Sequence, residues 1–154
     1  MITATNVTKH FGEILAVNDV NVTIKSGEVF GLIGTNGAGK STFLRMAAGV
    51  LKPDSGKILV DEKPVYENPS VKADIFYISD DQYFLPNATP RDMASFYQDY
   101  YASFDRVRFD EMLGNFQLKP NRRINTFSKG MKKQLSVLLG VCANTKYLFC
   151  DETF

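Results

Sequence analysis

Nine consecutive residues, Gly34, Thr35, Asn36, Gly37, Ala38, Gly39, Lys40, Ser41 and Thr42, have the spacing of a phosphate-gripping loop: glycine, four residues, glycine, lysine, serine. Each residue type has a physical task there. Glycines allow backbone angles that turn successive N–H groups towards one centre and let an anion come close. A helix starting near Lys40 would add roughly half a positive charge at its N-terminus. Lys40 would bring a full charge to the terminal phosphates. At ~4 Å and an effective dielectric near 20, such a pair is worth about 4 kcal/mol before desolvation. Ser41 would offer its hydroxyl to Mg²⁺.

A second cluster lies at Tyr147–Glu152, YLFCDE. A short apolar run ending in two carboxylates is the expected companion of a phosphate loop. Asp151 would hold the Mg²⁺ shell, through water in keeping with that ion's preference. Glu152 would polarise an attacking water, a role worth roughly 10²–10⁴ in rate.

These residues need elements to hold them. Glu28–Ile33 is a short, nearly all-apolar run and predicts a strand covered on both faces, leading into the glycines. Lys40–Ala48 has helical spacing, with Phe43, Leu44 and Ala47 on one side. Further strands are predicted at Ile2–Thr8, Val20–Ile24, Lys57–Val60, Ile75–Ile78 and Tyr147–Cys150, with a loop at Lys52–Gly56. After Leu85 the pattern becomes helical. Thr89 is a candidate N-cap with Pro90 and Asp92 behind it. Asp105 is another, for a helix stopped at Gly114, and Ser128 a third, for a helix running towards Ala143. The order predicts one α/β module: a core lobe of residues 1–84 and 144–154, with a helical lobe over 85–143.

Composition is that of a globular chain of 154 residues, with 44% hydrophobic and 23% charged residues, which excludes disorder and low-complexity fibre. The net charge of +1 gives no ground for bulk attraction to nucleic acid or anionic lipid. No apolar run approaches the ~20 residues of a membrane span, and Met1 to Gly12 is polar, without the apolar stretch of a secretion signal. Two cysteines, Cys142 and Cys150, both in apolar runs, read as buried inert thiols in a reducing compartment. The lone histidine, His10, excludes most multi-histidine metal sites. Between Lys119 and Lys133 there are six positive charges and no negative ones. That run reads either as a solvated helical face or as a surface for phosphate or a partner.

Taken in order, these segments resemble the nucleotide-binding subunit of ATP-binding-cassette (ABC) proteins, along the whole chain. The resemblance implies a P-loop NTPase fold of the ABC type, α/β with a helical subdomain. It implies ATP and Mg²⁺ as ligands. Phe11, in KHFGEILAV, stands where the family has an aromatic that stacks on adenine; the lesser alternative is a core phenylalanine. FSKGM, Phe127–Met131, stands where the family has its signature, usually LSGGQ. By resemblance, Ser128 and Gly130 reach the terminal phosphate of ATP held by a second subunit, beside the start of a helix. Lys129 and Met131 depart from the usual pattern, and FSKGMKKQL is similar to variants in export-type subunits. Where the family has a glutamine that contacts Mg²⁺, this chain has Asp80, with Gln82 two residues on.

The resemblance also implies a further strand and a phosphate-contacting histidine after the Asp-Glu pair, whereas the sequence stops at Phe154. The expectation is a marginally stable chain that hydrolyses ATP poorly by itself. For the parent protein it is an ATP-hydrolysing subunit, peripheral at the cytoplasmic face of the cell membrane. Its partners would be a transmembrane permease subunit and a second ATP-binding subunit, with no nucleic acid expected. The alternatives are an ABC ATPase acting on nucleic acid or ribosomes, supported by the basic run alone, and an inactive nucleotide-binding remnant.

Overall fold

A computed structural model describes residues 1–152. The chain divides into two compact units, Met1–Lys72 and Ala73–Phe154.

The first unit is built on a four-stranded antiparallel sheet, with order β2-β1-β3-β4. The strands are β1 (Ile2–Phe11), β2 (Ile14–Ile24), β3 (Ser55–Val60) and β4 (Lys63–Pro64). Alternation sets the inner face: Ile2, Ala4 and Val7 of β1 and Ile58 and Val60 of β3 are buried. Helix α1 (Lys40–Ala47) buries Phe43, Met46 and Ala47. Both first strands are longer than the sequence suggests, because a two-residue turn at Gly12 and Glu13 carries the ladder to its tip, where Phe11 pairs with Ile14. The register is broken by bulges near Asn6 and Asp19, both at positive φ. Their side chains bond to one another, Asn6 Nδ2 donating to Asp19 Oδ1 at 2.9 Å, which stabilises the two irregular backbones together. The polar residues that obscure the period of β2 are those that hold its bulge. Ser55 and Gly56, expected in a loop, begin β3.

Glu28–Ile33 is not a strand. Its residues carry no sheet pairing, and Val29 and Ile33 are fully exposed. A strand is made by its neighbours: apolar, β-prone residues cannot form a ladder alone. Among the described residues no strand pairs with this run.

The second unit pairs β5 (Ile75–Ile78) with β6 (Tyr147–Cys150) in parallel, Ile75 opposite Tyr147 and Ile78 opposite Cys150. A four-residue helix, α2 (Pro69–Lys72), ends the first unit. Beyond β5 come α3 (Pro90–Tyr100), α4 (Arg106–Asn115), a single 3-10 turn (Ile124–Thr126) and α5 (Lys129–Ala143). Phe76 and Ile78 of β5 join Met93, Phe109, Leu135 and Leu138 in one buried core. Three helix starts are capped as their sequences imply. Thr89 and Asp92 form a reciprocal capping box, Asp105 accepts from the Arg108 amide, and Ser128 accepts from the Met131 amide. The stop of α4 differs from expectation. The helix runs through Gly114 to Asn115, and the left-handed residue that ends the turn is Gln117, at φ 56. Cys142 is buried against Met112 at 3.7 Å between sulfurs, and burial pushes its thiol up to about 11; Cys150 is half-buried. No helix among the described residues is long and apolar enough to cross a membrane.

Candidate functional site

In the first unit the glycine loop leads directly into α1. Gly39 is the N-cap, at φ 87, and no side chain caps the helix. A methyl group at Gly39 would stand 2.1 Å from the Ala16 carbonyl oxygen on β2, so the loop can pass β2 only as bare backbone. Gly37 is also left-handed, at φ 82, but open space surrounds it. The Ala38 amide donates to the Thr35 carbonyl at 3.1 Å, closing a turn, and the Phe43 amide donates to Gly39 to start the helix. Thr35, Asn36 and Ala38 are exposed, while Ser41 and Thr42 lie half-buried in the first helical turn. The Lys40 ammonium folds back over the loop and donates to the carbonyls of Gly34, at 2.6 Å, and Thr35, at 2.7 Å. The result is an exposed loop with one ammonium held above it, at a helix end that lacks a side-chain cap. Anions bind at such places.

Phe11 lies at the tip of the β1–β2 hairpin, 49% exposed, and so is not a core residue. The ammonium of Lys9 stands 5.8 Å from its ring centroid. Asp54, which sequence reasoning passed over, anchors this end of β1. One carboxylate oxygen accepts from Lys9 at 2.7 Å, and the other from the His10 amide at 2.6 Å. The Lys9 hydrogen bond, then the His10 amide, holds the Asp54 carboxyl down at about 2. A three-residue polar set joining residues 9, 10 and 54 leaves no periodic trace in sequence.

In the second unit Asp151 follows the last residue of β6 and is 2% exposed. Its amide donates to the Ile78 carbonyl at 2.9 Å, continuing the parallel ladder by one step. Its Oδ2 accepts from the Tyr77 hydroxyl at 2.9 Å. Glu152 is exposed, at φ 48, and its carbonyl accepts from Lys133 at 3.4 Å. No cluster of three or more metal-ligating side chains occurs among the described residues. Mg²⁺ takes one or two carboxylates and completes its shell with phosphate and water. A single buried carboxylate at a strand end fits such a site.

Ser128 caps α5 with its Oγ 3.1 Å from the Met131 amide. A methyl group at Gly130 would meet nothing closer than that Oγ, at 4.0 Å, so packing does not require glycine there and the helix start stays open. Asp80 is exposed in the loop after β5, whereas Gln82 is half-buried. Gln82, Tyr83 and Phe84 line a cavity of about 140 Å³ with Tyr97 and Leu139. They also border a second, of about 280 Å³, with Asn125 and Lys132. The basic run is partly consumed by structure. The Arg122 guanidinium bonds Thr126 through Nε and Nη2, both at 2.9 Å, and lies over the Phe127 ring. Arg123 and Lys129 are exposed.

Comparison with known proteins adds to this geometry. Residues 17–154 match the family model described as ABC transporter. ABC transporter ATP-binding protein YtrB of Bacillus subtilis is 33% identical over 136 residues, 88% of this chain and 47% of that protein. Spermidine/putrescine import ATP-binding protein PotA of Nitrosomonas europaea is 32% identical over 152 residues, 96% of this chain and 42% of that protein. The chain thus spans about half the length of these relatives. The dimeric structure of a bacterial ABC transporter cassette superposes with a TM-score of 0.86 at 24% identity, over 99% of this chain and 74% of that one. At that identity the likeness is one of fold: an α/β P-loop NTPase domain.

Proposed function

The chain belongs to the ABC transporter family of ATP-binding domains, and from that premise we propose that it binds Mg-ATP at Gly34–Thr42 and hydrolyses it to drive a separate membrane subunit. The observation that carries this reading is the Lys40 ammonium, 2.6 Å from Gly34 O and 2.7 Å from Thr35 O above an uncapped helix start. Those carbonyls hold the charge where a terminal phosphate would exchange for them. The backbone amides of the loop and the dipole of α1 orient the rest of the triphosphate tail.

Ser41 of the first unit, and Asp151 and Asp80 of the second, are each taken as a candidate Mg²⁺ ligand, Asp80 through water. When bound, the ion would neutralise charge that develops on the terminal phosphates. Glu152 accepts the proton of the attacking water. Phe11, exposed at its hairpin tip, offers a ring face to the adenine. Ser128 and Gly130, at the open start of α5, serve the nucleotide of a second ATP-binding subunit, so two chains enclose two nucleotides. Closure on ATP and opening after hydrolysis bias a transmembrane permease between two states, because the nucleotide binds one state more tightly. Residues 85–143 form the helical lobe, and the protein works at the cytoplasmic face of the membrane. The FSKGMKKQL phrase supports export as the direction.

The test is phosphate release by the full-length protein with Glu152→Gln. The expected result is retained ATP binding with hydrolysis lowered by roughly 10²-fold or more. Hydrolysis at the unaltered rate would reject Glu152 as the residue that activates water.

A further inference from the structure

We propose that Tyr77 is a positioning residue for the metal-ligating carboxylate of Asp151. This rests on the assignment of Asp151 to the Mg²⁺ site. Tyr77 lies on β5 opposite Phe149 of β6. Side chains alternate across a sheet, so Phe149 and Asp151 share a face, and Tyr77 reaches diagonally along it to Asp151. Phe76 and Ile78, on the other face of β5, pack into the helical core. The arrangement therefore spends the one phenol of β5 on the face opposite that core.

Two ties run from β5 to Asp151. The Ile78 carbonyl takes its amide, and the Tyr77 hydroxyl donates to its Oδ2, each at 2.9 Å. The first fixes the backbone at the end of β6. The second restrains one carboxylate oxygen, Oδ2, of a side chain that is 2% exposed. A phenylalanine at position 77 would fill the same space without this control. The hydroxyl of Tyr77 thus helps to aim Asp151 before any ion arrives, as partners behind a metal ligand commonly do.

The test compares wild type with Tyr77→Phe in the full-length protein, reading Mn²⁺ uptake into the nucleotide complex by electron paramagnetic resonance. The expected result is a loss of Mn²⁺ affinity of about 10-fold. Nucleotide affinity measured in EDTA should stay within about twofold and the melt should remain cooperative. In an Asp151→Asn background the same Tyr77→Phe change should have no further effect on Mn²⁺. Unchanged Mn²⁺ affinity in a folded Tyr77→Phe protein would overturn the proposal and leave the metal assignment standing. Wild type that takes up no Mn²⁺ with nucleotide would overturn the metal assignment itself, and this inference with it.

Discussion

Replacing Gly39 by alanine tests the loop through its backbone. Two costs can be worked from the structure. Gly39 sits at φ 87, where an L side chain is strained by roughly 1–2 kcal/mol. The new methyl would also stand 2.1 Å from the Ala16 oxygen and 3.3 Å from Val17 Cγ2. Ordinary contact is near ~3.5 Å, so loop or strand must yield by roughly an ångström, an overpacking cost of roughly 1–3 kcal/mol. Together these give about 2–5 kcal/mol, against a total stability of about 5–15 for a typical domain. For a chain of this size the melting temperature should fall by roughly 5–15 °C. Gly37→Ala is the matched control: φ is 82 there, but nothing lies within 4 Å, so only the conformational cost applies. The assay is thermal unfolding of all three proteins, with a nucleotide titration alongside. A Gly39→Ala protein that melts with wild type, or one no worse than Gly37→Ala, would refute the claim that β2 and the loop touch at Gly39.

Two further outcomes follow from local chemistry. Asp54 has its folded pKa lowered to about 2, below the unfolded value near ~3.9, so its stabilisation is complete above about pH 4 and is lost as pH falls through about 2. The melting-temperature gap between wild type and Asp54→Asn should thus be steady from pH 7 to 5 and shrink between pH 4 and 2; a gap constant to pH 2 would contradict the Lys9–Asp54–His10 arrangement. Thr89→Ala removes one half of the capping box of α3 and should cost about 1 kcal/mol, a fall of roughly 2–4 °C, in a thermal melt.

What the sequence displayed and what it hid divide along a physical line. Local signals carried over: the caps Thr89, Asp105 and Ser128 act within three residues, and a hydroxyl or carboxylate before a helical run has one obvious use. The strands Ile75–Ile78 and Tyr147–Cys150 are short apolar runs that find each other and are sheltered by the helical core. Glu28–Ile33 is equally apolar, yet a ladder depends on a neighbour that local composition does not supply. The start of β2 at Ile14 is hidden because the β1–β2 register is broken, with Asp19 of β2 and Asn6 of β1 at positive φ. Gly114 was a plausible helix stop, but the turn closes three residues later on Gln117, where the chain has already left the helix. The glycine-lysine spacing predicts a glycine loop that leads into a helix at Lys40, and in the structure loop and helix are contiguous. Tyr77 escaped notice because its partner is 74 residues away and only the register of β5 on β6 brings them together.

On the proposed function, the loop from Gly34 to Thr42 grips a triphosphate through its amides and the Lys40 ammonium. The decisive measurement is calorimetric titration of the full-length protein and its Lys40→Ala variant with Mg-ATP. An ammonium contact worth up to about 4 kcal/mol predicts saturable 1:1 binding by wild type and a loss of roughly 10²-fold or more in the variant. Equal affinity in the two proteins, or no heat of binding in wild type, would contradict it.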